Sequence, residues 1–357
     1  MKSISVMSSL AFLLLAGTGC SSRGDAVGST ERVSTGGSSA SRLVGTSFEK
    51  DGPTAAWAAA LAMKATPPGV SAAVQFPVYR LGVPQDPVLR MAQRSAALGI
   101  SPSKSSSYGS ALTRSDGDFD LVIDSKNEME VWVNRARHHS GTVADVGTLK
   151  SEGEYLSLAS QYVAQKIDSP AGLTLHPYKF WKYYHELWAA PGVREEQRAY
   201  EVVVIFNSYI GEVPVVGSGG KVAVYMGLGG DVVSHTSYLR GPRSQVGTAS
   251  LASLLSTQEA EARAITQLSA RGMDPTRFTV TRREFGYWVT GRMGAQKYLA
   301  PHYVFAFTPT REGESGVGEH VLAVSDPALV KLLSEDDQIE AEQAALMLKG
   351  APAPSMK

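Results

Sequence analysis

Segments with strand character in this chain are joined by very short, glycine-rich connections. Residues 200–209, 221–226 and 231–239 are rich in β-branched and aromatic residues, and glycine-rich stretches at 217–220 and 227–230 separate them. Two parallel strands in one sheet need a crossover of a dozen or more residues, which these connections are too short to supply. The sequence therefore predicts an antiparallel sheet and excludes a sheet of parallel βαβ units.

Helix signals precede the strand signals, and the order of one helix followed by two or more strands occurs three times. This order predicts an α+β fold in which each helix packs on one face of a curved antiparallel sheet. The predicted helices lie near 87–98, 152–166 and 257–271, their strands lie within 119–133, 200–239 and 279–324, and a further strand covers 76–81.

Cap residues mark the points where the helices begin. A serine or aspartate at the N-cap accepts a hydrogen bond from a free backbone N–H, and a glutamate three residues later completes a capping box. A fourth helix, at the C-terminus, is expected to extend as far as Lys349. The predicted caps are Asp86 before Pro87, Ser151 with Glu154, Ser256 with Glu259, and Asp326 before Pro327.

Composition excludes several classes of protein. The chain has 357 residues, of which 43% are hydrophobic, so it can bury a core and has room for two or three domains. Its 34 basic residues are balanced by 34 acidic ones, which argues against a nucleic-acid partner because phosphates demand a basic surplus. One cysteine forms neither an internal disulfide nor a zinc cluster.

The N-terminus combines a basic residue, a short apolar stretch and small residues, which is typical of a secretory signal peptide. Lys2 precedes the apolar residues 10–16, and small residues then lead to Cys20, the single cysteine of the chain. The arrangement resembles the lipobox of bacterial lipoproteins, although Gly17 stands where that motif usually has leucine. The resemblance implies that residues 1–19 are a signal peptide and that Cys20 carries the lipid. An ordinary cleaved signal with an incidental cysteine is the open alternative.

The segment that follows is expected to be a flexible tether. Residues 20–41 are rich in serine, glycine and threonine and have few large apolar side chains with which to offset the entropy of ordering. Acyl chains on Cys20 would anchor the protein to a membrane without crossing it. Ser21 after the cysteine resembles the outer-membrane sorting signal of bacteria with two membranes, which implies a body that faces the periplasm or the cell surface.

Several stretches resemble the PepSY and fungalysin/thermolysin-propeptide group of domains. The shared pattern is a strand that ends in an aromatic residue, then Gly-x-x-Pro-Val, a second strand, a glycine turn and a third strand. A later Leu-x-Pro-x-Tyr-x-Phe strand matches as well. The matching stretches are 202–217 (VVVIFNSYIGEVPVVG), 221–224, 230–233, 259–272, 279–287 and 299–305 (LAPHYVF).

This resemblance implies repeated cystatin-like units, each a helix on a curved antiparallel sheet, and a non-catalytic binding role. Sheet edges and one loop would contact a partner. The implied units are residues 42–145, 146–245 and 246–325, followed by a C-terminal amphipathic helix and tail at 326–357. The residues of the candidate partner-binding loop are Tyr209, Gly211, Pro214, Val215 and Gly217.

Motifs that would carry metal or catalytic chemistry are incomplete. Residues 116–120 (DGDFD) resemble a calcium loop but lack its glycine and its final glutamate, so they predict a tight turn with Asp118 and Asp120 facing solvent. His185-Glu186 has no second histidine at zinc-protease spacing. Ser-x-x-Lys at 101–104 occurs without the companion motifs of serine acyl-enzymes. We therefore predict no catalytic residues, no metal site and no cofactor.

The expected function is that of a lipid-anchored, non-enzymatic protein of the cell envelope. It would bind, inhibit or chaperone another envelope or secreted protein, and its membrane contact would run through the lipidated N-terminus. A structural or assembly lipoprotein of an outer-membrane or surface complex is the alternative. An unrecognised hydrolase is a third possibility.

Overall fold

The structure, a computed structural model, has an α+β fold with one large, mostly antiparallel sheet and a small second sheet. Five helices occur in the part of the chain that the structure describes. The predicted fold class is confirmed at this level. The described residues are 38–47, 53–70, 74–82, 86–101, 104–124, 128–138, 148–190, 193–290, 296–311 and 315–334.

The helices begin where their caps predict. Ser151 and Ser256 each form a complete capping box with the glutamate three residues on, and the Asp86 side chain accepts from the Val88 N–H. Asp326 accepts from the first turn of the last helix. The helices are α1 (Pro53–Leu61), α2 (Pro87–Leu98), α3 (Glu152–Lys166), α4 (Thr257–Ala270) and α5, of which residues 327–334 are described.

The strands include every predicted one and several that the sequence did not reveal. The first eight are β1 (Ser38–Ser47), β2 (Gln75–Leu81), β3 (Lys104–Tyr108), β4 (Ala111–Asp116), β5 (Phe119–Asp124), β6 (Glu130–Asn134), β7 (Thr174–Ala190) and β8 (Val193–Ile210). The others are β9 (Val213–Val216), β10 (Lys221–Gly227), β11 (Val232–Ser237), β12 (Pro242–Ser250), β13 (Phe278–Trp288), β14 (Tyr298–Leu299), β15 (Pro301–Pro309) and β16 (Val317–Leu322).

The large sheet has 13 strands, ordered β16-β15-β13-β9-β8-β10-β11-β6-β5-β4-β3, with β7 and then β1 branching from β8. Its pairings are antiparallel except that β9 runs parallel to β13. The small sheet is β12-β2-β14. The short connections therefore predicted the sheet type correctly. The exception joins β9 to β13, two strands that no short connection links.

The seam at β9 divides the large sheet into two halves. The first half contains β3–β8, β10 and β11, with α2 and α3 packed on it. The second half contains β13, β15 and β16, with α1 and α4 packed on it, and the small sheet adjoins the same core. This division does not follow the boundaries of the implied units. α1 and β2 belong to the implied unit 42–145 but pack in the second half. Repeated cystatin-like units remain a prediction.

Two predicted boundaries fall inside strands. Residues 38–41 of the predicted tether form the start of β1, which pairs with β7. Backbone pairing with β7 makes this serine-rich segment a strand, and such pairing cannot be predicted from composition. The expected boundary after residue 245 lies within β12. The signal peptide, Cys20 and the rest of the tether lie outside the described residues, as does the C-terminal helix beyond 334.

A long hairpin extends from the first half. β7 and β8 pair from Thr174↔Tyr209 to Ala190↔Val193, whereas β10 accompanies β8 only as far as Glu201. β1 lies along the outer edge of β7, from Ser47↔Lys179 to Ser38↔Trp188. The sequence did not predict β7 as a strand, because its aromatic residues are continuous and show no period of two.

Candidate functional site

The predicted partner-binding loop forms the seam between the halves. Tyr209 is the second-last residue of β8, is half-buried, and contacts His176 edge to face at 4.9 Å between ring centroids. Gly211 is exposed and adopts φ +57, which the tight β8–β9 turn requires. These two residues, together with the half-buried Gly217, are the accessible part of the loop. Partner binding by them stays a prediction.

The rest of this loop is enclosed in the sheet. Pro214 and Val215 belong to β9 and are buried, with Val215 in the core of the second half. A Cβ atom at Gly217 would lie 2.5 Å from the Val289 carbonyl oxygen and 2.8 Å from the Trp288 ring. The close approach of β13 to β9 therefore depends on this glycine, and the segment joins the two halves instead of presenting a surface.

The first half contains a buried polar cluster that the sequence did not predict. Arg94 of α2 donates two hydrogen bonds of 2.7 Å to the two carboxylate oxygens of Glu130 on β6. His235 of β11 lies with Nε2 at 3.0 Å from Glu130 Oε1 and Nδ1 at 2.7 Å from the hydroxyl of Tyr162 on α3. α2, α3, β6 and β11, which are far apart in sequence, are thus joined around the Glu130 carboxylate, α3 through His235.

The electrostatics of this polar cluster favour its ionised form. Burial alone would raise the pKa of Glu130, but the hydrogen bonds and charges of His235 and Arg94 outweigh it and lower the pKa to about 2. Burial likewise opposes the charge of Arg94, yet its hydrogen bond to Glu130 leaves its pKa raised. Burial, with a smaller effect of Glu130, raises the pKa of Tyr162. The carboxylate stays charged and the phenol stays protonated at neutral pH.

Tyr162, His235 and Glu130 are connected as in a proton relay, but solvent does not reach the histidine or the carboxylate. His235 has no exposed surface, and Trp132 stacks on its ring at 5.9 Å between centroids. Arg94 also donates to the Lys166 carbonyl at the C-terminal end of α3, where a cation is favourable. The arrangement therefore joins α2 and α3 to the sheet, and its chemistry is structural.

A second buried pair lies on the other face of the first half. His138 Nδ1 is 3.1 Å from Glu201 Oε2, and both residues are nearly inaccessible. Tyr225 contacts the imidazole edge to face at 4.8 Å, and burial raises the pKa of Tyr225 well above its usual range. Tyr183 stacks on Tyr225 at 6.3 Å. This pair fixes the segment after β6 against β8 and β10.

The second half carries a histidine pair on the sheet face away from α4. Trp288 stacks on His320 at 4.3 Å and 11°, and His302 lies 5.6 Å from His320. His302 is buried and bonded to the Ala300 carbonyl. Burial, helped by His320, lowers the pKa of His302 to about 3, so this imidazole is neutral in the folded protein.

Of the remaining sequence motifs, the turn at 116–120 is the one whose side chains the structure describes throughout. Asp118 is exposed as predicted, but the prediction for Asp120 is wrong, because it is buried, accepts from Ser115 at 2.5 Å and lies 3.4 Å from Arg135 Nε. The alternation of β5 holds, but the face that Asp120 shares with the buried Val122 is covered and does not meet solvent. Among the described residues, no group of three or more His, Cys, Asp and Glu side chains could hold a metal ion. No helix in the described part of the chain is long and apolar enough to cross a membrane.

Among the strands that the structure describes, β3 stands at the edge of the large sheet in the first half and has β4 as its one partner. β3 pairs with β4 without a bulge and closes on Tyr108↔Ala111, with Gly109 at φ +58 as a type II′ turn requires. Pairs alternate in an antiparallel hairpin, so Ser105 and Ser107 direct their N–H and C=O groups away from β4. These serines are exposed, and Tyr108 is 75% exposed.

Sequence reasoning missed this edge and the buried polar clusters for different reasons. β3 reads as a serine-rich loop, and only its pairing with β4 makes it a strand. Glu130 and His235 are single polar residues on predicted strands. Their only signal was the position of Glu130 in an otherwise apolar strand, where a charge is costly without a partner.

Comparisons with known proteins give a distant likeness. No family model matches the chain, and neither does any curated protein. Among solved structures, it is similar to an uncharacterized protein from Eubacterium rectale ATCC 33656, determined at 1.45 Å resolution, with 11% identity and a TM-score of 0.37. The match covers 71% of this chain and 84% of that one.

Proposed function

We propose that this chain is a lipid-anchored, non-enzymatic cell-envelope protein that binds another envelope or secreted protein by adding a strand to β3. The observation that carries the proposal is the β3 edge. Natural edge strands are usually protected by charges, prolines or bulges. β3 carries one charge, at its first residue Lys104, whereas residues 105–108 contain no charge and no proline and pair with β4 without a bulge. An extended segment of a partner fits such an edge through backbone hydrogen bonds.

The lipid anchor and the repeated units belong to the same proposal. Cys20 behind a signal peptide supports attachment to a membrane. The helix-then-strands order of α2 with β3–β6, α3 with β7–β11 and α4 with β13–β16 supports repeated cystatin-like units in the PepSY manner. The buried positions of His235 and Glu201 support a non-enzymatic role, because these groups are held in internal contacts.

The edge is tested with a photo-crosslinking residue at Ser105 in the full chain, produced in its native host. We expect one crosslinked protein at Ser105 and none at Ser269, an exposed position on α4 that serves as the control. Ser107→Pro should abolish the crosslink while preserving the fold, since the Ser107 N–H faces away from β4. Ser107→Thr is the matched substitution that should retain it.

Two results would contradict this function. A crosslink that persists with Ser107→Pro, or that appears equally at Ser269, would show that β3 does not receive a strand. Unchanged membrane partitioning of Cys20→Ala would contradict the lipid anchor. The captured protein also separates the alternatives: a soluble secreted protein supports binding or inhibition, and a membrane complex supports an assembly role.

A further inference from the structure

The surface beside the β3 edge continues onto one side of α2. α2 packs on β4 and β5, and its neighbour α3 packs on β7, β8 and β10. Polar contacts join α2 to α3, because Arg94 donates to the Lys166 carbonyl and Lys166 Nζ donates to the Ala97 carbonyl at 3.0 Å. Since β3 follows β4 in the sheet, the opposite side of α2 faces the β3 edge.

This opposite side of α2 is apolar and open to solvent. At about 100° per residue, four residues lie on the side of the helix turned away from Arg94, and we call them the α2 flank. They are Val88, Leu89, Ala92 and Ala96. Val88 and Leu89 are 60% and 55% exposed, and the two alanines are exposed as well. The α2 flank therefore offers an uncharged, accessible wall beside the edge strand.

The β3 residues that direct their backbone groups away from β4 share a sheet face with α2. Ser105 is opposite Arg114 and Ser107 is opposite Leu112, which packs on the core beneath α2. An added strand places its own residues directly opposite these serines, with their side chains on the same face. Serine side chains are short, so they leave room between the α2 flank and the added side chains.

Hydrogen bonds at both ends of α2 fix its direction along β3. The Ser101 N–H, just past the end of α2, donates to Asp116 at the end of β4 at 3.0 Å. Arg90, in the first turn, donates to the carbonyl of Glu128 between β5 and β6 at 3.1 Å. α2 therefore begins near the hairpin turn at Gly109 and ends near the other end of β3.

A positive charge lies at this other end. Arg114 is half-buried and points to the α2 face of the sheet. In the described part of the chain, its guanidinium has no ion-pair partner. Asp116, the next residue of β4 on that face, accepts the hydrogen bond from Ser101. A half-buried cation beside a strand edge favours a carboxylate on the segment that pairs there.

From this arrangement we infer that the segment added to β3 carries a large apolar residue opposite Ser107 and an acidic residue opposite Ser105, two positions apart. The inference rests on the proposed strand addition at this edge. The apolar side chain covers Val88 and Ala92, and the carboxylate neutralises Arg114. These two contacts supply selectivity, because the backbone hydrogen bonds of the edge suit any extended segment.

A second copy of this chain is the other occupant that an open strand edge invites. β3 contains one lysine and no acidic residue, so pairing between two copies of β3 would leave Arg114 without a carboxylate. A partner of different sequence therefore fits the charge of this surface better.

The test measures the binding of fluorescein-labelled synthetic peptides to the full chain by fluorescence anisotropy. The probe is a threonine-rich peptide of about ten residues with one leucine and one glutamate two positions apart. Three control peptides replace the glutamate by lysine, replace the leucine by serine, or move the pair to a spacing of three, which sends the two side chains to opposite faces. We expect each control peptide to bind about tenfold more weakly than the probe.

Two protein variants assign the contacts. Arg114→Glu should weaken binding of the probe about tenfold and strengthen binding of the lysine peptide, an exchange that a merely structural role of Arg114 would not produce. Val88→Ser should weaken binding of the probe and leave binding of the serine peptide unchanged. The matched controls, Arg311→Glu and Val330→Ser, change exposed residues outside the first half and should alter neither affinity.

The outcomes separate this inference from the proposed function. Equal affinities for all four peptides would overturn the inference, and a crosslink at Ser105 would then show that strand addition itself stands. If no peptide binds, the segment captured at Ser105 decides. A captured segment without an acidic and a large apolar residue two positions apart, or a second copy of β3, overturns the inference. Absence of both peptide binding and the crosslink overturns the proposed function as well.

Discussion

In the second half, α1 and α4 cover the sheet with aromatic and aliphatic side chains, whereas in the first half α2 and α3 meet across a buried ion pair. Trp57 of α1 packs on Phe76 and Phe285 at 5.6 and 5.7 Å between ring centroids. The corresponding position between α2 and α3 holds Arg94 and Glu130 at 2.7 Å. The helices of both halves pack on apolar cores, and those of the first half add a buried ion pair.

The difference teaches how each half obtains stability and specificity. Apolar burial stabilises in proportion to the area removed from water and does not require one particular partner at each position. A buried charge is costly unless every partner is present, so the polar cluster accepts only one arrangement of α2, α3, β6 and β11. We expect the aromatic core to dominate stability and the polar cluster to select the position of its helices.

The largest effect is expected from the aromatic core. Trp57→Ala removes a side chain with 1% exposure and should lower the free energy of unfolding by about 3–5 kcal/mol, measured by urea denaturation. Trp57→Phe keeps an aromatic ring against Phe76 and should cost far less. A loss below about 1 kcal/mol for the alanine variant would contradict a dominant aromatic core.

Breaking the polar cluster comes next. Arg94→Met leaves the Glu130 carboxylate buried without its bidentate partner and should cost about 3 kcal/mol in the same assay. The double variant Arg94→Met/Glu130→Gln removes the charge, keeps an acceptor for His235 and should recover most of that loss. If the double variant is as unstable as the single one, the cost lies in packing and not in charge.

Mild acid should weaken the second half before the first. The folded pKa of His302 is about 3 against about 6.5 when unfolded, so the unfolded chain binds the extra proton and stability falls as pH drops below 6.5. Between pH 7 and pH 5 the loss should be about 2 kcal/mol. His302→Asn, which has no titrating group, should lose this dependence.

The polar cluster supplies the contrast in that experiment. Because the pKa of Glu130 is lowered to about 2, its stabilisation is complete above the unfolded value of about 4.3 and is lost only as pH falls from there toward 2. Glu130→Gln should therefore leave the loss between pH 7 and pH 5 unchanged. A smaller loss of stability in that variant would show that the acid sensitivity arises in the first half and not at His302.

The smallest effect is expected at the helix caps. Ser151→Ala in the first half and Ser256→Ala in the second each remove a capping box and should each cost about 1 kcal/mol, read from thermal unfolding. Equal costs would show that the halves differ in their interiors and not at their helix ends. Unequal costs would mean that one cap also fixes how its helix packs.

Local patterns predicted much of the secondary structure. The caps at Asp86, Ser151 and Ser256 act over three residues, and the glycine turns near Gly217 and Gly230 act over four, so the sequence alone specifies them. β1, β3 and β7 could not be predicted this way. Among them β1 pairs with a distant strand, whereas β3 and β7 pair with the next strand along the chain but lack the alternation of apolar and polar residues that marks a strand.

The candidate sites divide in the same manner. The sequence indicated the segment around Gly211 and Gly217, and it predicted lipid attachment at Cys20. It did not indicate that Pro214 and Val215 would be enclosed by β13, because that parallel contact joins residues more than 70 positions apart. The polar cluster shows the same limit, since Glu130 and His235 are 105 residues apart.

By itself, then, the sequence determined the α+β class, the antiparallel sheet and the helix starts, since each follows from interactions between near neighbours. The tertiary structure alone decided that α1 and β2 complete the second half and that Glu130 becomes the meeting point of four elements. It also decided that β1 lies along the β7–β8 hairpin. These arrangements depend on which distant surfaces bury apolar area together and which charges find partners.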